Sequence, residues 1–152
     1  METEKTIDVL NKLITINNDR IEGYQTAAEE TEEQDLKILF SQFTSTSQQC
    51  KRELIKEVSR LGGEIAQGTM MSGKFFRVWM DVKAAISGKD RKTILSSCEF
   101  GEDAAKDTYE DVLKEDLNQL TLEQQIMVRT QQAILKADHD KVKLMRDSLV
   151  DA

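Results

Sequence analysis

Apolar residues recur along this chain at alternating intervals of three and four, the seam of a helix that faces a bundle core. The first run holds Ile7, Leu10, Ile14, Ile21, Tyr24 and Ala28 and predicts a helix from about Thr3 to Glu30, with one polar break in the seam at Asn17. The second holds Leu36, Leu39, Phe40, Phe43, Ser47, Cys50, Leu54, Val58 and Leu61, and stops at Gly62-Gly63, a helix C-terminal signal. Thr31 and Gln34 have capping-box spacing at its start, and the acidic residues around them suit the positive end of a helix. A third run, Leu95, Cys98, Glu102, Ala105, Tyr109 and Val112, predicts a helix capped by Asp90 and reaching about Lys114, broken in its seam by Glu102. The fourth helix opens between Asp116 and Thr121. It turns Leu120, Met127, Ile134, Val142, Met145 and Leu149 inward, with Gln131 and Asp138 among them.

Helices of this length, about 40 Å at 1.5 Å per residue, joined by a short turn make an antiparallel hairpin. The chain carries two such hairpins, and they form a degenerate repeat: laid over one another, they place Leu10 on Leu95, Asn17 on Glu102 and Tyr24 on Tyr109. In each first helix the polar seam residue precedes the tyrosine by two turns on one face. Between the hairpins, Glu64 to Lys89 is too long for a simple turn and contains an amphipathic piece, Ser72 to Ile86. Two hairpins joined by one long crossover that holds a short helix is an all-α, antiparallel four-helix bundle of ferritin type, a single domain over residues 1–152.

Composition narrows this further. There is no proline in 152 residues and there are only 7 glycines, where about 5% proline is ordinary, so the punctuation falls to glycine and capping residues. The chain is 39% apolar and 32% charged, which excludes collagen-like, proline-rich disordered and membrane-spanning classes. A net charge of −7 and a pI near 4.9 argue against nucleic acid as a partner. The crossover departs from this average, with a net charge of +2 against −4 and −5 in the segments before and after it, which together make the total of −7. No basic start followed by an apolar run opens the chain, so no signal peptide is read and a cytoplasmic location is expected. Two cysteines, Cys50 and Cys98, are too few for a disulfide framework and fall within apolar periodicity.

The chain resembles a bacterial family of ferritin-like four-helix-bundle proteins of unassigned function. The likeness rests on Leu61-Gly62-Gly63, on the crossover run Trp79-Met80-Asp81-Val82-Lys83-Ala84-Ala85, on Gly88-Lys89-Asp90, on Cys98-Glu99-Phe100-Gly101-Glu102-Asp103 and on His139-Asp140-Lys141-Val142-Lys143. It implies the fold and a bacterial origin, and no known reaction. Ferritin-like enzymes hold two irons inside the bundle, with a Glu from each of two helices and Glu-x-x-His from each of the other two. Glu102 matches the third-helix ligand position and is the only well-placed ligand, since Asn17 stands in the first helix and Ser47 with Cys50 in the second. His139 is preceded at three residues by Lys136 rather than Glu, and is read as a surface or boundary residue. No catalytic residue and no cofactor are therefore expected; iron or manganese at a degenerate site is the alternative.

The candidate site is a polar core cluster of Asn17, Tyr24, Glu102, Tyr109, Gln131 and Asp138, in which a buried carboxylate needs local partners. A second candidate is an interaction surface of Phe75, Phe76, Arg77, Trp79, Met80 and Lys83 on the crossover, either packed on the bundle or exposed to a partner. The expected function is a non-catalytic bundle that acts as a homo-oligomer or with a protein partner in a stress setting. A variant metal-binding protein around Glu102 is the first alternative. A peripheral membrane binder through residues 72–86 is the second.

Overall fold

The computed structural model describes residues 3–68 and 91–150, and all of their regular structure is helical. Four long helices carry it: α1 (Thr3–Glu30), α2 (Gln34–Arg60), α3 (Arg91–Glu115) and α4 (Leu122–Val150), with a single 3-10 turn, Leu117–Gln119, before α4. Two apolar clusters lie at opposite ends of the helices. One gathers Tyr24 and Ala27 of α1, Leu36, Leu39, Phe40 and Phe43 of α2, Ile94, Leu95 and Cys98 of α3 and Val142 of α4. The other gathers Val9, Leu10, Leu13 and Ile14, Leu54 and Val58, Tyr109, Val112 and Leu113, and Val128 with Leu135. A polar layer lies between them, and it forms the candidate site described below.

Local chemistry sets the ends of these helices. α2 stops in a Schellman motif: the Gly63 N–H donates to Val58 O at 3.0 Å and the Gly62 N–H to Ser59 O at 3.0 Å, with Gly62 at φ 78°. A side chain at Gly63 would run into Ile7, whose carbons stand 2.8 Å from where its Cβ would be. Beyond it the chain turns back along α1. Asn11 pins it first, donating to Glu64 O at 2.8 Å and accepting from the Ala66 N–H at 2.9 Å, and Asn18, two turns further on, donates to Gly68 O at 2.8 Å. α4 starts in a reciprocal capping box, the Gln124 N–H donating to Thr121 Oγ1 at 3.2 Å and the Thr121 N–H to Gln124 Oε1 at 2.8 Å. Arg91 ties the start of α3 to the start of α2 through Glu33 (2.9 Å) and Asp35 (2.5 Å).

Three expectations need correction. The Thr31–Gln34 capping box does not form. Glu33 is the N-cap of α2, and Thr31 Oγ1 instead accepts from the Glu33 N–H at 3.3 Å, a turn that competes with capping. In α4 the buried seam runs through Gln124, Val128, Gln131, Leu135 and Val142, one residue on from Met127 and Ile134, which are only partly buried. In α1 a second stripe, Thr6, Val9, Leu13, Ile16, Arg20 and Ala27, is buried beside the predicted one, because this helix packs on both α2 and α3 and so hides more than a single seam. Asp90, the predicted cap of α3, and the amphipathic piece 72–86 lie outside the described residues.

Candidate functional site

The polar layer is built around Arg20, which the sequence pattern did not single out. Its side chain is fully buried. The guanidinium reaches every other helix: Nε and Nη2 donate to Glu102 Oε1 on α3 at 3.1 and 2.7 Å, Nη1 to Ser47 Oγ on α2 at 2.5 Å, and Nη2 to Asp138 Oδ2 on α4 at 3.2 Å. Its carbon stands 5.4 Å from the centre of the Tyr24 ring and 6.0 Å from that of Phe43, so aromatic faces also stabilise the cation. Burial alone would weaken the Arg20 charge, but Glu102, with Tyr24 and Asp138, more than reverses this and holds its pKa above the usual value.

The six polar positions expected from the sequence fall into two hydrogen-bonded groups, Tyr24, Glu102 and Asp138 around Arg20, and Asn17, Tyr109 and Gln131. Tyr24 donates its hydroxyl to Glu102 Oε1 at 2.5 Å, while Asn17 Nδ2 donates to the Tyr109 hydroxyl at 2.9 Å. The tyrosine of each repeat thus meets the polar seam residue of the other. Arg20 breaks this symmetry, since its counterpart in the second hairpin is the small, buried Ala105. Tyr109 donates in turn to Gln131 Oε1 at 2.7 Å, and Gln131 Nε2 donates to Cys50 O at 3.2 Å and Glu53 Oε1 at 2.9 Å. Two buried acceptors, Asn17 Oδ1 and Glu102 Oε2, take no hydrogen bond from the described residues.

The electrostatics of this layer are those of a closed, charged core. Burial pushes both tyrosine hydroxyls well above their ordinary pKa, so they stay protonated donors. Burial also pushes the Asp138 carboxyl up to about 6, against the opposing pull of Arg20 and with the help of Glu102. The free thiols follow the same rule: Cys50 is pushed up to about 12 by burial and Cys98 higher still. Neither is a nucleophile at neutral pH.

His139 was expected at the surface or a boundary; it is buried instead, and it points away from this layer. It is 9% exposed, and its Nε2 faces Asp103 Oδ1 at 2.7 Å while its Nδ1 faces Asp140 Oδ1 at 3.2 Å. Phe75, Phe76, Arg77, Trp79, Met80 and Lys83 lie outside the described residues. The residue that sequence reasoning missed is Arg20. Its signal was positional: it lies one turn from both Asn17 and Tyr24 on one helix face, although charge alone marks an arginine as solvated.

Residues 5–115 match a family described as Domain of unknown function (DUF2383), and the chain belongs to that family. No curated protein matches it. No helix among the described residues is long and apolar enough to cross a membrane.

Proposed function

We propose that this family member is a ferritin-like four-helix bundle without a catalytic centre, which acts by associating with itself or with a partner protein. The fold part is supported by which ends meet. The C-terminal half of α1 and of α4 share one cluster with the N-terminal halves of α2 and α3. That is the arrangement of two antiparallel hairpins joined by a long connection, and residues 64–68, turning back along α1, begin such a connection.

Arg20 carries the functional part. A ferritin-like enzyme places metal cations among carboxylates inside the bundle. Here the cation between Glu102 and Asp138 is a guanidinium of the chain itself, at 2.7 and 3.2 Å. A dication added there would stand against that positive charge, and the facing positions Asn17, Ser47 and Cys50 offer neither carboxylate nor imidazole. The residues therefore do not fit a dinuclear iron or manganese centre. The association part is supported by Ile38, Leu122, Ile126 and Leu144, large apolar side chains left 58–73% exposed. Lys141 reaches Gln42 across α2 and α4 at 3.3 Å, and Ile38 and Leu144 each lie about a turn from that contact.

Light scattering of the tag-free chain tests this reading. The expected mass exceeds the 17.3 kDa of one chain and falls to it in the Ile38→Lys/Leu144→Lys variant. A monomer at every concentration would contradict self-association. Two iron or manganese ions per chain that are retained in His139→Gln and lost in Glu102→Gln would contradict the non-catalytic core.

A further inference from the structure

On the outer side of the α3–α4 pair, three side chains converge with metal-ligand chemistry. Glu99 and Asp103 are four residues apart on α3, which puts their carboxylates one turn apart on the same face. His139 of α4 meets them, and one donor atom from each of the three lies within 4.8 Å of the others. We propose that Glu99, Asp103 and His139 form a mononuclear site for a divalent transition-metal ion such as Zn2+, separate from the Arg20 layer.

The orientation of the histidine is an independent argument. A metal-ligating imidazole usually donates its second ring N–H to a carboxylate, which fixes the tautomer and turns the other nitrogen toward the ion. His139 is already held this way: Nδ1 lies 3.2 Å from Asp140 Oδ1, and Asp140 is itself held by Lys136 Nζ at 3.0 Å. Nε2 faces Asp103 Oδ1 on the other side of the ring. The 2.7 Å contact between Nε2 and Asp103 Oδ1 needs a shared proton. Zn2+ replaces it: the Nε2–H bond breaks, Nε2–Zn and Oδ1–Zn bonds form, and the proton leaves to solvent.

The ligand set and its surroundings favour this class of ion. Zinc bonds to imidazole nitrogen and carboxylate oxygen at about 2.0–2.2 Å, so donors already within 4.8 Å of one another need only a small closure to share one ion. Three protein ligands leave a fourth position to solvent, and Asp103, 40% exposed, opens the site to it. An imidazole disfavours the hard cations Mg2+ and Ca2+, which prefer oxygen alone. Among the described residues, the cations seen on these carboxylates are Arg146 on Glu99 and Lys136 on Asp140. Arg146 leaves Glu99 lone pairs for a metal, since a carboxylate offers about four acceptor sites.

The chain's only histidine makes the test direct. Tag-free protein, with no added histidines, is titrated with Zn2+ by calorimetry at pH 7.5, and the imidazole nitrogens are followed by NMR. One ion per chain is expected, with Nε2 shifting on binding and Nδ1 remaining protonated. His139→Gln weakens binding by more than about 10-fold, as does Asp103→Asn, whose partly exposed position keeps the fold intact. Asp140→Asn weakens it by about 10-fold or more through the second shell. Asp138→Asn, one residue away but facing the interior, leaves binding unchanged. Zn2+ that binds His139→Gln and Asp103→Asn as tightly as the parent, an Nε2 signal that does not move, or no binding up to about 1 mM would overturn the proposal.

Discussion

Glu102 and Asp103 are neighbours in sequence, as are Asp138 and His139, yet each pair divides between two sites of opposite character. Consecutive helical residues point about 100° apart, so Glu102 and Asp138 turn to Arg20 while Asp103 and His139 meet each other on another face of the α3–α4 pair. Inside, the carboxylates meet a positive charge that the chain provides, and the guanidinium, two tyrosines and a serine that fill the layer are all buried. Outside, two carboxylates and an imidazole converge with solvent access. Carboxylates alone do not make a metal site. What differs is burial and the position of the cation: Arg20 is fully buried and reaches both Glu102 and Asp138, whereas at the outer group Arg146 pairs with Glu99 and Asp103 stays partly exposed.

The largest effect should come from unbalancing the interior. Glu102→Gln leaves the fully buried Arg20 charge without its main partner, which is expected to cost about 3–5 kcal/mol in urea unfolding. A loss below about 1 kcal/mol would show that Arg20 is not held as described. Next in size is the pH dependence of Asp138. Its folded pKa, about 6, lies above its ordinary 3.8. The stability it contributes is therefore complete below the unfolded value and is lost as pH rises through about 6. Asp138→Asn removes that loss, so its stability relative to the parent should improve by about 2–3 kcal/mol between pH 4 and pH 7. A parallel pH profile would remove Asp138 from the buried layer.

Smaller effects sharpen the contrast. Tyr109→Phe breaks the link between Asn17 and Gln131 and leaves buried amide groups with fewer partners, an expected loss of about 1–2 kcal/mol by thermal or urea unfolding. Asp103→Asn removes a partly exposed ion pair and, in metal-free buffer, should cost no more than about 1 kcal/mol. If the outer substitution destabilised the apo-protein as much as Glu102→Gln does, the two regions would not differ in the way described.

Most of the helical architecture was legible because seams at three- and four-residue spacing survive in every helix, and Gly62-Gly63 marks a stop that the Schellman bonds realise. The register of α4 was harder to read. Met127 and Val128, like Ile134 and Leu135, are adjacent apolar pairs, and only packing decides which member faces in. The capping box at Thr121 and Gln124 was written in the sequence and overlooked, whereas the same spacing at Thr31 and Gln34 does not cap, because the Thr31 hydroxyl turns to Glu33 instead. Asn17, Tyr24, Glu102 and Tyr109 could be placed in one layer because the repeat aligns them. Arg20 could not, since a lone arginine reads as solvated until three helices are seen to supply its partners. The Glu99–Asp103–His139 group joins two helices, and one-dimensional spacing reveals only its Glu99–Asp103 half.

The most direct test of the filled core is a double-mutant cycle on Arg20→Met, Glu102→Gln and the two combined, read by urea unfolding of tag-free protein. Each single change should be strongly destabilising, and the double variant should recover much of the loss, giving a coupling energy of about 2–3 kcal/mol. Additive losses with no coupling would contradict the account, because the guanidinium would then not be the cation that balances the interior carboxylate.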